Sequence, residues 1–180
     1  MKCLLRHELD ALLDAAKAEC FRDYLMFLCT FNHGLRVTEV VGGWEIENGE
    51  RVRREPLSRA NLVGNCLVVQ RLKRSCKTTQ PLLDNERDLL MALEGPWFRM
   101  SRWTYRRRMQ YYGAKAGLDK SRLHPHSLKH ATGRLAYLGG MGIPELVAYL
   151  GHRNPANSLI YAQASEGEAC SAFAAAIGLI

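Results

Sequence analysis

The stretch HPHSLKHATGRLAYLGGMGIPELVAYLGHRNPANSLIYAQ, residues 124–163, decides the fold. Its apolar positions recur at helical spacing in three short segments, 127–140, 144–150 and 155–163, separated by glycine-rich or proline-led turns. Pro144 and Pro155 each suit a first helical position, and Asn154 precedes the second as a cap. The same stretch concentrates polar side chains that can do chemistry: His124, His126, Lys129 and His130 together, then His152, then Tyr161 nine residues later.

Upstream, residues 85–94 and 101–117 also read as helices, and downstream Ser165 and Glu168 have the spacing of a capping box before an Ala-rich run with Phe173 and Ile177. The first third is helical: Leu9, Leu12, Leu13 and Ala16, then Tyr24, Leu25, Phe27, Leu28 and Phe31, with Gly34 ending the second helix. Strand signals lie between. Asn48-Gly49 sits between the alternating runs WEIE and ERVR, a hairpin signature, and Leu67–Val69 and Thr79–Leu82 read as two further strands joined by a basic turn. The pattern predicts one α+β domain over residues 1–180, mostly helical, with a small antiparallel sheet.

The 180 residues are 47% hydrophobic and 24% charged, which excludes a disordered or fibrous chain. No apolar run approaches the length of a membrane span, and acids stand where a secretory signal would be apolar, so the expected compartment is the cytoplasm. Six cysteines without a C-x-x-C pair read as reduced thiols rather than a disulfide framework.

The net charge of +7 is localised. Between Arg99 and His130 nine Lys or Arg face one acid, Asp119, while the rest of the chain carries −1. Trp103, Tyr105, Tyr111 and Tyr112 interleave with these bases. A solvated helix face with aromatics turned inward is the common fate of such a run, but a patch this one-sided favours a polyanion, nucleic acid first.

Taken singly, Arg36 after Gly34, Lys73 in the basic turn, and Tyr161 have ordinary structural explanations. The three histidines 124, 126 and 130 lack a nearby Cys, Asp or Glu to complete a ligand set, and Lys129 would repel a cation there. There is neither a G-x-S-x-G nor a Walker A loop. Together the residues fit a metal-free attack on a phosphodiester. That reaction needs a nucleophile, which Tyr161 offers, and cationic donors for the non-bridging oxygens, which Arg36, His126, Lys129 and His152 offer. It also needs an acid for the departing oxygen, which Lys73 offers.

Order and spacing resemble the tyrosine site-specific recombinases and phage integrases. In FNHGLRVTEV (31–40), Arg36 falls on the family's first arginine and Glu39 on its following acid. In VVQRLKRSCKTTQPL (68–82), Lys73 falls on the hairpin lysine, and His126, His152 and Tyr161 match further catalytic positions. Within the family the likeness is greatest to the short fimbrial phase-switch recombinases, through HGLR, RLK with TTQPLL, AGL with HPHSLKH, MGI and YLGHRN.

The resemblance implies a catalytic domain without the separate N-terminal DNA-binding domain of larger integrases. Such a domain acts on double-stranded DNA at inverted sites, self-associates into a tetrameric synapse, works with DNA-bending accessory proteins at the bacterial nucleoid, and needs no cofactor or metal. It implies DNA contacts from Arg71, Arg74 and Lys77 in the basic turn and from Arg102, Arg106 and Arg107 on the basic helix, and an exchanged C-terminal helix at 165–177. Two features depart from it. The family has arginine where this chain has Lys129, which keeps the charge but loses the bidentate fork, so a DNA-binding regulator with impaired chemistry is the alternative; a topoisomerase-like relaxing enzyme would share the chemistry without paired sites. The hairpin at 44–55 is an insertion, expected as a tolerated surface loop or a contact to DNA or a neighbouring protomer.

Overall fold

The structure, a computed structural model, describes residues 3–47, 49–72 and 75–162. The chain opens with α1 (Arg6–Glu19), α2 (Phe21–Asn32) and a short α3 (Val37–Val41). Two small antiparallel sheets follow: the hairpin β1 (Gly43–Glu47) and β2 (Glu50–Arg54), then β3 (Leu62–Val63), β4 (Cys66–Val69) and β5 (Thr78–Pro81) in the order β3-β4-β5. Helices α4 (Glu86–Met91), α5 (Arg102–Lys115), α6 (Pro125–Leu138), α7 (Ile143–Leu150) and α8 (Ala156–Leu159) complete the described fold. The helical majority and the antiparallel pairing agree with the sequence reading.

The expected boundaries arise from identifiable chemistry. Gly34 follows α2 at φ 55°, donates to Phe31 O at 3.1 Å, and lets Leu35 N reach back to Thr30 O at 3.0 Å. These two bonds close a Schellman motif, and the left-handed backbone they require is what glycine tolerates. In the β1–β2 hairpin Glu47 opposes Glu50 and Gly43 opposes Arg54, the antiparallel register that the Asn48-Gly49 signal announces. Pro144 lies in the first turn of α7, and Asn154 Oδ1 accepts from Ala156 N at 3.0 Å at the start of α8.

The main core is built by α1, α2, α5 and α6 around Leu12, Met26, Phe27, Tyr105, Met109 and Leu128. Helix α5 turns Tyr105 and Tyr112 inward, edge-on to Phe27 at centroid distances of 5.3 and 6.1 Å. Their hydroxyls donate to Thr30 Oγ1 and to the buried Asp23 carboxylate, each at 3.0 Å, so neither phenol is left unpaired in the core. Leu146, Leu150 and Tyr161 form a second, smaller core on α6 and α7. Among the described residues no helix is long and apolar enough to cross a membrane.

Candidate active site

Arg36 enters the site from the turn that Gly34 permits. It is the N-cap of α3, where its N–H donates to Glu39 Oε2 at 2.8 Å and its Nη1 donates to Glu39 Oε1 at 3.0 Å. Leu72 O and Ser75 Oγ accept further bonds from the same guanidinium, each at 3.3 Å. Glu39 also accepts from Leu72 N at 2.9 Å and from Arg71 Nη1 at 3.1 Å. Burial pushes this carboxyl up, but Arg71, Lys129 and Arg36 outweigh that and hold it below its ordinary value. Glu39 is thus an anionic hub that locks one cation for use and another for support.

The supporting cation is Arg71, and here the structure corrects the sequence reading. Expected at the DNA surface, Arg71 is 1% exposed. Its donors reach Thr78 Oγ1 (2.9 Å), Gly34 O (3.3 Å), Glu39 Oε2 (3.1 Å), His33 O (2.7 Å), Gln80 Oε1 (3.1 Å) and Tyr149 O (3.4 Å). With every N–H engaged, nothing is left for a phosphate. Lys77 is exposed, as are Arg102, Arg106 and Arg107 on the outer face of α5. Those three make no ion pair among the described residues, whereas Arg108, Lys115 and Arg122 are paired with Asp23, Glu19 and Glu8. Lys73, Arg74 and the segment 165–177 lie outside the described residues.

Helix α6 supplies the opposite wall. His126, Lys129 and His130 occupy one face at i, i+3 and i+4. Lys129 is 5% exposed, and its Nζ donates to Gly34 O at 3.1 Å. Burial, then the Arg36 charge, brings its pKa down to about 7. His152 follows Gly151, whose φ of 66° ends α7 and whose carbonyl accepts from Cys76 N at 3.0 Å. The His152 ring is fixed by Nδ1 against Ser158 Oγ at 2.8 Å, and burial together with Lys129 and Arg36 takes its pKa down to about 4. As a neutral imidazole it can donate from Nε2 while Nδ1 accepts from the serine.

Tyr161 closes the cleft. Its ring lies over Gly133, where an added Cβ would stand 2.5 Å from the aromatic carbons, and Arg134 Nη1 donates to its carbonyl at 2.8 Å. The hydroxyl is 3.5 Å from His130 Nδ1. Burial raises the phenol to about 12, while burial and the neighbouring His126 and His124 lower His130 to about 4. His130 is therefore neutral and able to accept a proton. The sequence places His130 beside the other polar residues of this stretch but does not reveal its contact with Tyr161. Arg36, His126, Lys129, His152 and Tyr161 all line one cleft of about 610 Å³, with Ser75, Arg153 and Asn157 among its other walls.

Cationic side chains and imidazoles thus surround a buried tyrosine on a mainly helical α+β frame. The phage integrase family model matches residues 2–168. The chain is 31% identical over 185 aligned residues to the type 1 fimbriae regulatory protein FimB of Escherichia coli strain K12, covering 91% of this chain and 85% of that one. It is 27% identical to the tyrosine recombinase XerD of Yersinia pestis, covering 89% of this chain but 56% of that protein. The fold superposes on the XerA recombinase with a TM-score of 0.73 at 19% identity, over 95% of this chain and 63% of that one. On the catalytic domain of bacteriophage HP1 integrase the TM-score is 0.67 at 19% identity, over 90% and 87%. The chain belongs to the phage integrase family of tyrosine recombinases.

Proposed function

We propose that this protein is a site-specific DNA recombinase that breaks and rejoins strands through a 3′-phosphotyrosyl intermediate, inverting or integrating a DNA segment. The observation that carries the reading is the convergence of Arg36, His126, Lys129, His152 and Tyr161, from four separate elements, on one cleft. Tyr161 Oη attacks the scissile phosphorus as its proton passes to His130 Nδ1. The P–O5′ bond breaks, and Lys73 protonates the departing 5′ oxygen. Arg36, Lys129 and His152 hold the non-bridging oxygens, and His126 contacts the same phosphate. The 5′-hydroxyl of a partner strand then reverses the steps, so the bond energy is kept in the covalent link.

DNA with inverted sites, a tetrameric synapse, DNA-bending accessory proteins and a place at the bacterial nucleoid belong to the same reading. The XerH recombinase, to which the fold is similar with a TM-score of 0.62 at 15% identity, was determined bound to its difH substrate. The exposed Arg102, Arg106, Arg107 and Lys77 then contact phosphates. Residues 165–177 dock on an adjacent protomer.

One observation favours a second reading, a DNA-binding regulator with lapsed cleavage: Lys129 is drawn back to Gly34 O and holds its proton weakly. A nicked suicide DNA substrate, run with the parent, Lys129→Arg and Tyr161→Phe, separates the two. A covalent adduct with the parent that vanishes in Tyr161→Phe supports the recombinase. An adduct only after Lys129→Arg supports the regulator, and none in either sinks the strand-transfer reading.

A further inference from the structure

Beneath the cleft, three buried groups that the strand-transfer reading does not use come together. Cys29 and His33 stand one turn apart at the end of α2, and Glu86 is the first residue of α4. Cys29 Sγ, a His33 ring nitrogen and a Glu86 carboxylate oxygen lie within 4.8 Å of one another. All three residues are at most 2% exposed. His33 Nε2 is 3.1 Å from Glu86 Oε2, while Glu86 Oε1 and His33 Nδ1 are buried without a hydrogen-bond partner among the described residues. An unfinished polar group in a dry core calls for a physical explanation, and a bound ion is one of the few available.

We propose that Cys29, His33 and Glu86 form a structural zinc site. A thiolate, an imidazole and a carboxylate are zinc's preferred donors, and i, i+4 ligands on one helix are a common way to present two of them. Tetrahedral ligation at about 2.0 to 2.3 Å places donor atoms roughly 3.3 to 3.8 Å apart. The His33–Glu86 edge, at 3.1 Å, is slightly shorter than that, and with all donors within 4.8 Å of one another no separation exceeds the range by more than about 1 Å.

Both Glu86 oxygens can bind, which engages Oε1, and because they sit too close together to fill two tetrahedral corners the fourth corner falls to a water. Charge favours the same assignment. Thiolate, carboxylate and Zn²⁺ sum to zero, so the filled site puts no net charge in the core. Soft sulfur selects zinc over magnesium or calcium. Glu86 also lines a surface cleft of about 340 Å³ with Leu28, Asn32 and Leu89, which gives an ion a route in.

The site would brace the catalytic turn. His33 O accepts from Arg71 and Gln80, Gly34 O accepts from Arg71 and Lys129, and Arg36 follows two residues later. Metal at His33 therefore fixes the peptide from which the first phosphate donor is hung.

The test uses the full chain purified from zinc-supplemented culture, dialysed, and assayed for metal content, then exchanged with Co²⁺. The expected result is one equivalent of zinc per chain. Cobalt should give a thiolate charge-transfer band with tetrahedral visible absorption, lost in Cys29→Ser and kept in Cys76→Ser. Added zinc should raise the melting temperature of the parent and of Cys76→Ser but not of Cys29→Ser. Absence of stoichiometric metal in the parent overturns the proposal, as does a cobalt spectrum without sulfur charge transfer, which would place the ion on the histidines of α6. Retention of the band in Cys29→Ser does so too. Metal content and spectrum are read without DNA, so they stand or fall independently of strand transfer.

Discussion

At the scale of single residues the decisive position is Lys129. Its amine is charged in both folded and unfolded chains well below pH 7 and neutral in both above its ordinary value of 10.5. Between those limits the unfolded chain binds the extra proton, so this residue makes stability rise with pH from about 7 toward 10.5. Lys129→Met should remove that slope: its stability advantage over the parent, measured by urea unfolding, should be largest near pH 6 and shrink by pH 9. A stability difference that does not change with pH would show that Lys129 is not held in a proton-poor site. Catalysis should respond in the opposite direction, because only the charged amine stabilises phosphate oxygens. Single-turnover adduct formation by the parent should fall as pH rises above about 7. In Lys129→Arg that limb should disappear and the rate should rise by up to roughly a hundredfold, the usual worth of one well-placed donor. Gly133 makes a companion case. Gly133→Ala puts a methyl 2.5 Å from the Tyr161 ring, so cleavage should drop at least tenfold while DNA binding is kept. Unchanged adduct formation in that variant would mean the ring is not seated over Gly133 when it reacts.

Among the elements, α5 and the β1–β2 hairpin both carry exposed arginines. On α5, Tyr105, Met109 and Tyr112 are buried while Arg102, Arg106 and Arg107 face solvent. Replacing Arg106 and Arg107 by Glu should weaken DNA binding across sequences and reduce the dependence of log K on log salt by about two, near one per lost phosphate contact. Affinity and salt slope equal to the parent's would remove α5 from the interface. The helices were legible in the sequence because apolar period and end signals coincide, as at Gly34, Pro144 and Asn154. The hairpin was legible because Asn48-Gly49 is flanked by alternating runs. Helix α3 and strand β3 show no such signal because five and two residues are too few to show a period. Arg71 was misread for a different reason: a basic turn reveals charge but not direction, and only the folded chain shows Glu39 drawing this one arginine inward. The candidate site was legible as a list of residues. What the list could not contain was the pairing of Tyr161 with His130, set by how α6 and the segment after α8 meet.

For the molecule as a whole, the cleft lies across two cores of unequal size. Arg36 and Lys129 are attached to the main core through α2, α3 and α6, whereas Tyr161 belongs to the small cluster with Leu146 and Leu150, and His152 follows directly from α7. Stability in a folded chain is distributed by such packing, and the elements with fewest buried apolar contacts open first. Helices α7 and α8 should therefore exchange their amide hydrogens faster than α1, α2 and α5 in native-state experiments. On the proposed reading, loosening of the small cluster would withdraw Tyr161 and His152 together while Arg36, Lys129 and the basic helix stay folded. Leu146→Ala should act on that seam. Leu146 is fully buried, and its truncation leaves a cavity costing about 2 to 5 kcal/mol, enough to loosen a cluster this small without unfolding the main core. The variant should keep parental DNA affinity and salt dependence, show faster exchange in α7 and α8 alone, and lose most covalent adduct formation. If exchange instead accelerates uniformly through α1, α2 and α5, the two cores unfold as one cooperative unit and the nucleophile has no independent motion.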